Sequence, residues 1–145
     1  MLACQAKSRR GVAAIETALL LPLLVLLIFG MIEFGLLLYN RQVLTNASRE
    51  GARFGIVQWT PRRTDGEIEA VVNLYCASRL VTFGSAGGPS TTVTREGAAC
   101  VGSPCCQAFD DDLAVRVTYQ YNFLVLTNFG FGPIQLEAQT VMKCE

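Results

Sequence analysis

The most prominent pattern in this chain of 145 residues is an apolar run near its amino terminus. Residues 17–39 read TALLLPLLVLLIFGMIEFGLLLY and contain one charged residue, Glu33. A helix rises about 1.5 Å per residue, so this run would extend over about 34 Å, enough to cross a lipid bilayer. The pattern therefore predicts a transmembrane helix with its span over residues 17–39.

Helical spacing of apolar residues continues beyond this run. The residues concerned are Val43, Ala47, Phe54 and Val57. They share one face of a helix, and Thr60-Pro61 ends the pattern because the residue before a proline disfavours helical backbone. We therefore expect one amino-terminal helix over residues 12–59.

Residues 60–145 have shorter, mixed patterns that are typical of a small folded domain. The sequence Thr64-Asp65-Gly66-Glu67 matches a capping box, in which the Glu67 side chain reaches back to the start of the helix. It predicts a second helix over residues 65–81.

Two strands are predicted where apolar and polar residues alternate, at 113–121 and at 134–142. The turn-rich residues 127–133 lie between them, so we expect an antiparallel hairpin. A Gly/Ser/Pro-rich loop at 84–91 leads into a shorter strand at Thr91–Arg95. The predicted fold class is α+β: a long amino-terminal helix, then a small extracytoplasmic domain with one helix and an antiparallel β-sheet.

The distribution of basic residues orients the chain in a membrane. Lys7, Arg9 and Arg10 precede the apolar run, and the nearest basic residue after it is Arg41. By the positive-inside rule the amino terminus faces the cytoplasm, and residues 40–145 lie on the periplasmic side of a bacterial inner membrane. A cleaved secretory signal fits less well, because its apolar region is about 7–15 residues long and ends at a small-x-small site.

Composition excludes several classes of function. Twelve basic and twelve acidic residues cancel, so the chain lacks the basic excess typical of nucleic-acid binding proteins. There is no histidine, which excludes His-based catalytic triads and most catalytic zinc centres. We therefore expect no catalytic residue, no metal, no cofactor and no nucleic-acid partner.

The segment KSRRGVAAIETALLLPLL has the pattern that prepilin peptidases read. A short basic leader, residues 1–11, ends at Gly11; the product would begin at Val12, and Glu16 would be its fifth residue. Gly11 places a small, flexible residue where an extended leader must enter a protease site. The sequence therefore predicts cleavage between Gly11 and Val12.

Together with IEFGLLLYNRQVLTNASREGARFGIV at 32–57 and VRVTYQYNFLVLTNFGFGPIQLEAQTVMK at 115–143, this segment resembles the TadE-like pilus-assembly proteins of the tight-adherence (Flp) system. The resemblance implies a minor pilin or pseudopilin of a Flp-type (type IVb) pilus for surface adherence. It also implies three kinds of partner: a prepilin peptidase, other pilins or pseudopilins, and an inner-membrane assembly platform. In an assembled pilus the chain would lie outside the cell. Thr17 departs from the family, whose members usually have an aromatic residue after the glutamate.

Glu16 is the candidate assembly residue. After cleavage, the new amino terminus at Val12 would lie one helical turn from its carboxylate. A carboxylate at the edge of the hydrocarbon layer is costly unless it has a partner. The amino terminus of the same or a neighbouring subunit is one candidate, and hydration by lipid headgroups is the alternative.

Glu33 is the second unusual acid, because it lies inside the apolar run, where an acid costs roughly 2.5 kcal/mol or more near the bilayer centre. Gly30 and Gly35 flank it and permit close approach of another helix, so an intramembrane contact with a pilin or platform protein is one interpretation. The other is an acid near enough to the outer edge to reach water.

Six cysteines in an exported chain indicate disulfide bonds. Cys4 lies in the predicted leader. The other five are Cys76, Cys100, Cys105, Cys106 and Cys144. We expect a short loop closed by Cys100 and one of the adjacent pair, because short loops close at low entropic cost, and a second bond between Cys76 and Cys144.

A different class of function remains open, in which the apolar helix is a permanent signal anchor for a periplasmic binding or scaffold domain of an export or cell-envelope system. The amino terminus of the mature protein distinguishes the two. Val12 as first residue supports a prepilin, and an intact Met1 or Leu2 supports the anchor.

Overall fold

The longest element is helix α1, Gln5–Ile56, which has 52 residues. This computed structural model describes residues 5–58, 60–81, 83, 87–102 and 104–145, with residues 5–10 described by their backbone alone. The helix begins at Gln5, before the predicted residue 12, and it continues through Pro22. Cys4 and the first residues of the predicted leader lie outside the described residues, as does part of the predicted loop at 84–91.

Helix α2, Asp65–Ala77, begins where the capping box predicts. The Glu67 carboxylate accepts a hydrogen bond from the Thr64 backbone N–H at 3.0 Å, and this bond is the main reason that the pKa of Glu67 is lowered. The helix ends before the predicted residue 81, and the Arg79 N–H then donates to the Cys76 carbonyl at 3.1 Å, an i→i−3 bond that tightens the last turn.

Four strands form an antiparallel sheet in the order β2-β1-β3-β4. They are β1 (Ser90–Arg95), β2 (Ala98–Ala99), β3 (Asp112–Tyr121) and β4 (Ile134–Lys143). The pairing of β3 with β4 runs from Asp112 opposite Lys143 to Tyr121 opposite Ile134, which confirms the predicted hairpin. The α+β fold class is confirmed as well.

One face of this sheet packs against both helices and forms a shared core. The residues of β3 that point into it alternate as predicted: Leu113, Val115, Val117, Tyr119 and Tyr121. Helix α1 contributes Leu44 and Ala47, and α2 contributes Ile68 and Val72. The second half of α1 is therefore part of the core of the outer domain.

The sheet lies alongside α1 rather than beyond its end. At one end of the contact, the Glu145 N–H donates to the Ile56 carbonyl at 3.4 Å. At the other end, the loop after β3 contacts Glu33. At about 1.5 Å per residue, this contact extends along about 35 Å of the helix.

A disulfide bond joins Cys106 to Cys144, whose Cα atoms are 5.7 Å apart. It connects the segment before β3 to the end of β4. The predicted bond from Cys76 to Cys144 is wrong, because the two residues lie at opposite ends of the domain. Cys76 is near the end of α2, and the chain just after α2 reaches α1 at Asn40, whereas Cys144 precedes the contact at Ile56.

The predicted local bond from Cys100 to one of the adjacent cysteines is also not formed. Cys100 and Cys105 are both buried thiols. The Cys100 Sγ lies 4.0 Å from the Cys105 carbonyl oxygen, so the two residues are neighbours as the short loop predicts. Burial raises the pKa of Cys105, and it raises that of Cys76.

Candidate functional site

The amino-terminal half of α1 is exposed on all sides. Every residue from 11 to 25 is exposed, including Leu19 at 74 % and Val12 at 64 %. This helix is long and apolar enough to cross a membrane, by its length and composition. Its exposed half corresponds to the first part of the predicted span, and together these features indicate a membrane-anchored chain.

Gly11 and Val12, the predicted cleavage point, lie on this exposed surface. A Cβ atom added at Gly11 would meet nothing within 4 Å. Both residues are in helical backbone in this structure. Cleavage itself stays a prediction.

Glu16 is exposed on the same half of the helix. Among the described residues it has neither a hydrogen-bond nor an ion-pair partner within its own chain. Its neighbour Thr17 donates its hydroxyl hydrogen to the Ala13 carbonyl at 2.9 Å, one turn back in the helix. The Glu16 carboxylate is therefore available to a group from another molecule, and its pairing role stays a prediction.

Glu33 is buried, with 2 % of its surface exposed. Its carboxylate accepts hydrogen bonds from the backbone N–H groups of Val125 and of Leu126, the latter at 3.3 Å. Leu126 begins a short 3-10 helix, η1 (Leu126–Phe129), in the loop between β3 and β4. Two amide donors are strong partners for a carboxylate, so Glu33 joins α1 to the loop of its own domain.

This intramolecular contact differs from both interpretations drawn from the sequence. Glu33 does not reach water, since it is covered by the loop. Gly30 and Gly35 make no close approach within the described chain, because an added Cβ at either would meet nothing within 4 Å. A contact of this region with another membrane protein stays a prediction.

Two further polar residues lie on the same face of α1, and sequence reasoning missed them. Asn40 is fully buried; its amide donates to the Val81 carbonyl at 2.7 Å and accepts from the Val81 N–H at 3.0 Å. Ser48 is also fully buried, with its Oγ 2.8 Å from the Thr140 hydroxyl. The signal in the sequence is their spacing, because residues 7 and 15 positions after Glu33 return to its face of the helix.

Glu33, Asn40 and Ser48 thus form a polar stripe that attaches the outer domain to α1 at three levels: the loop after β3, the chain after α2, and β4. Tyr121 is buried close to the first of these contacts. Burial raises the pKa of the Tyr121 hydroxyl, and the charge of Glu33 raises it further.

Small residues in α1 allow the closest packing of the domain. A Cβ atom added at Gly51 would lie 2.6 Å from Val72 Cγ2, and one added at Gly55 would lie 2.6 Å from Leu113 Cδ2. A larger residue at either position would require these neighbouring side chains to move. The two glycines therefore allow α2 and β3 to pack closely on α1.

Comparison with known families adds the decisive observation: residues 11–53 match the model of the family described as TadE-like protein. The amino-terminal segment, residues 11–53, is thus similar to the TadE-like family. The match confirms the resemblance seen in the sequence, and it associates the chain with the Tad pilus. No curated protein and no solved structure was found to match the chain.

The extent of this TadE-like match is informative. It begins at Gly11 and contains Glu16 as well as all three residues of the polar stripe, whereas α2 and the sheet lie beyond it. The residues that hold the outer domain are thus part of the family segment, although the domain that they hold is not. Among the described residues there is no group of three or more His, Cys, Asp or Glu residues placed to hold a metal ion.

Proposed function

We propose that this protein is a minor pilin or pseudopilin that acts in the assembly of a Flp-type pilus. The observation that supports this most is the coincidence of the family match with an α1 helix whose first half is apolar and exposed all round. Such a helix passes from lipid into a bundle of similar helices without exposing apolar surface to water.

In this proposal a prepilin peptidase cuts between Gly11 and Val12 on the cytoplasmic side, where the basic residues of the leader remain. The new ammonium group at Val12 then lies four residues before Glu16, a spacing that places both on one face of the helix. Glu16 is exposed and has no partner among the described residues of its own chain, which supports pairing with such a group on the same or a neighbouring subunit.

The outer domain is then periplasmic before assembly, and the chain works as a structural component rather than as an enzyme. Its partners are the peptidase, other pilins or pseudopilins and the inner-membrane platform. The competing function, a signal-anchored binding or scaffold domain, needs the same helix but no cleavage.

The amino terminus of the protein extracted from membranes tests the proposal. Mass spectrometry of the intact chain should show that residues 1–11 are lost and that Val12 is first. A host without a prepilin peptidase is the control and should yield the uncut chain. Recovery of Met1 or Leu2 as the first residue in both hosts would establish the anchored domain instead.

The role of Glu16 requires a separate measurement. A Glu16→Ala variant should be cut at the same site but recovered poorly in sheared pili, because the subunit lacks its pairing group. Glu69→Ala is the matched control, since Glu69 is an exposed acid on α2, and it should assemble normally. Normal recovery of Glu16→Ala in pili would refute the pairing role.

A further inference from the structure

The loop between β3 and β4 exposes large apolar side chains. We define the apolar loop as residues 122–131, which include η1. Leu124 is 53 % exposed, Phe129 59 % and Phe131 55 %. Exposed apolar groups that cluster in this way usually mark a surface that contacts another apolar phase.

The apolar loop also lies in the longest stretch of the outer domain without charge. No Asp, Glu, Lys or Arg occurs between Arg116 and Glu137. The opposite end of the sheet has the reverse character, with Asp110 and Asp112 both paired with Lys143. The domain is therefore polarised along β3, with an uncharged end and a charged end about 30 Å apart by the length of a ten-residue strand.

The contact with Glu33 fixes where the uncharged end lies along α1. A hydrocarbon layer of about 30 Å takes about 20 helical residues, so a span that starts between Val12 and Thr17 ends at about residues 31–36. Glu33 falls within this interval. The apolar loop is thus held at the level where α1 leaves the hydrocarbon.

The helix surface beside this contact is itself apolar and exposed. Met31 is 67 % exposed, Ile32 52 % and Phe34 61 %. The first charged residue after Glu33 is Arg41, two turns further from the membrane. The loop and the helix therefore present one continuous uncharged surface at the same level.

We propose that the apolar loop inserts into the outer interface of the bilayer that α1 crosses, with Leu124, Phe129 and Phe131 among the lipid chains. We assign lipid as the partner of this apolar surface because α1 fixes the loop at the membrane boundary and because the loop carries no charge. Apolar side chains of interfacial segments reach about 5–10 Å into this zone. Water is scarce at this level of the bilayer, and two backbone amides of the loop donate hydrogen bonds to the Glu33 carboxylate.

The inference rests on membrane anchoring by α1 and not on the pilus role, so failure of either leaves the other standing. The test uses the full-length chain with Trp59→Phe, reconstituted in phosphatidylcholine vesicles whose acyl chains carry bromine, a short-range quencher of tryptophan fluorescence. Phe129→Trp reports the loop, and Phe131→Trp is a second reporter in case the first disturbs folding.

Two matched variants calibrate the measurement. Phe29→Trp lies in the apolar half of α1 and should be strongly quenched. Phe109→Trp lies near the charged end of the sheet, where Phe109 is 81 % exposed, and should not be quenched. Tryptophan in the loop should lose about twofold or more of its emission in brominated vesicles and emit at shorter wavelength than Phe109→Trp.

Two results would overturn the proposal. If both loop reporters are unaffected by brominated lipid and are quenched by aqueous acrylamide as readily as Phe109→Trp, the loop faces water. If their emission shifts only as the protein density in the vesicles rises, without quenching by brominated lipid, a second copy of the chain covers the loop instead.

Discussion

Glu33 connects two parts of the molecule that lie in different surroundings, the membrane helix and the outer domain. Its side chain belongs to the membrane helix, yet both of its hydrogen-bond donors belong to the outer domain. A buried carboxylate without partners is strongly destabilising. Backbone amides provide hydrogen bonds to the Glu33 carboxylate without a second charged residue. This arrangement suits the apolar run around Glu33, which contains no other charged residue.

A Glu33→Leu variant should destabilise the outer domain by about 2–4 kcal/mol, because the N–H groups of Val125 and Leu126 lose their acceptors while they remain covered. Thermal unfolding of the full-length protein in detergent micelles measures this, and limited proteolysis should cut the loop at 122–131 first. Glu16→Leu is the matched control, since Glu16 is exposed and should leave the unfolding temperature unchanged. Equal stability of the two variants would show that the Glu33 contact contributes little.

At the scale of elements, the contact between α1 and α2 depends on residues that lack a side chain. Helix propensity alone favours alanine over glycine by about 1 kcal/mol in a helix interior. Gly51 is retained within α1 at the point where Val72 comes closest. Packing outweighs propensity here.

Gly51→Ala should therefore lower the free energy of unfolding by about 1–2 kcal/mol, since overpacking a close contact costs more than the gain in propensity. The β-branched side chain of Val72 is stiff and cannot move aside cheaply. Gly35→Ala provides the comparison, because a Cβ there meets nothing within 4 Å, and it should leave stability unchanged or raise it slightly. A stabilised Gly51→Ala would mean that α2 can shift at no cost.

The elements themselves could be predicted where their signals are local. The capping box located the start of α2, and the alternation of apolar residues located β3 and β4, because each pattern lies within a few consecutive residues. β2 consists of Ala98 and Ala99 alone, too short to show any periodicity. The end of α2 differs from the predicted residue 81, since no local pattern in the sequence indicates that the Arg79 N–H donates to the Cys76 carbonyl three residues back.

The candidate site was predictable only in part, for a related reason. Glu16 and the Gly11–Val12 junction are recognisable from a linear motif. The partner of Glu33 lies 92 residues away in the sequence, and the pairing of Cys106 with Cys144 spans 38. Such pairs are fixed by the register of the sheet and by its packing on α1, which no local pattern encodes.

At the scale of the whole molecule, the fold buries three cysteine thiols of the described residues. Cys76, Cys100 and Cys105 are buried. Burial raises the pKa of Cys76 and of Cys105 above the ordinary value of 9.0, so the folded protein holds both as thiols. This contribution to stability is complete below pH 9 and is lost as the pH rises through the raised pKa of the folded state.

Alkylation by iodoacetamide at pH 8 should consequently be at least about tenfold slower for these thiols in the folded protein than after unfolding, because the thiolate is the reactive form and is both buried and scarce. Val101→Cys supplies a matched exposed thiol, since Val101 is 80 % exposed, and it should react rapidly in the folded state. Mass spectrometry of peptides identifies the modified sites. Rapid native labelling of Cys76 or Cys105 would contradict the buried positions.

The polar stripe and the two glycines hold the outer domain along the second half of α1, from Glu33 to Ile56. A rotation of this part of the helix about its axis therefore turns the outer domain with it. In a helical fibre, the packing of the α1 helices against one another would thus determine the direction in which each outer domain faces.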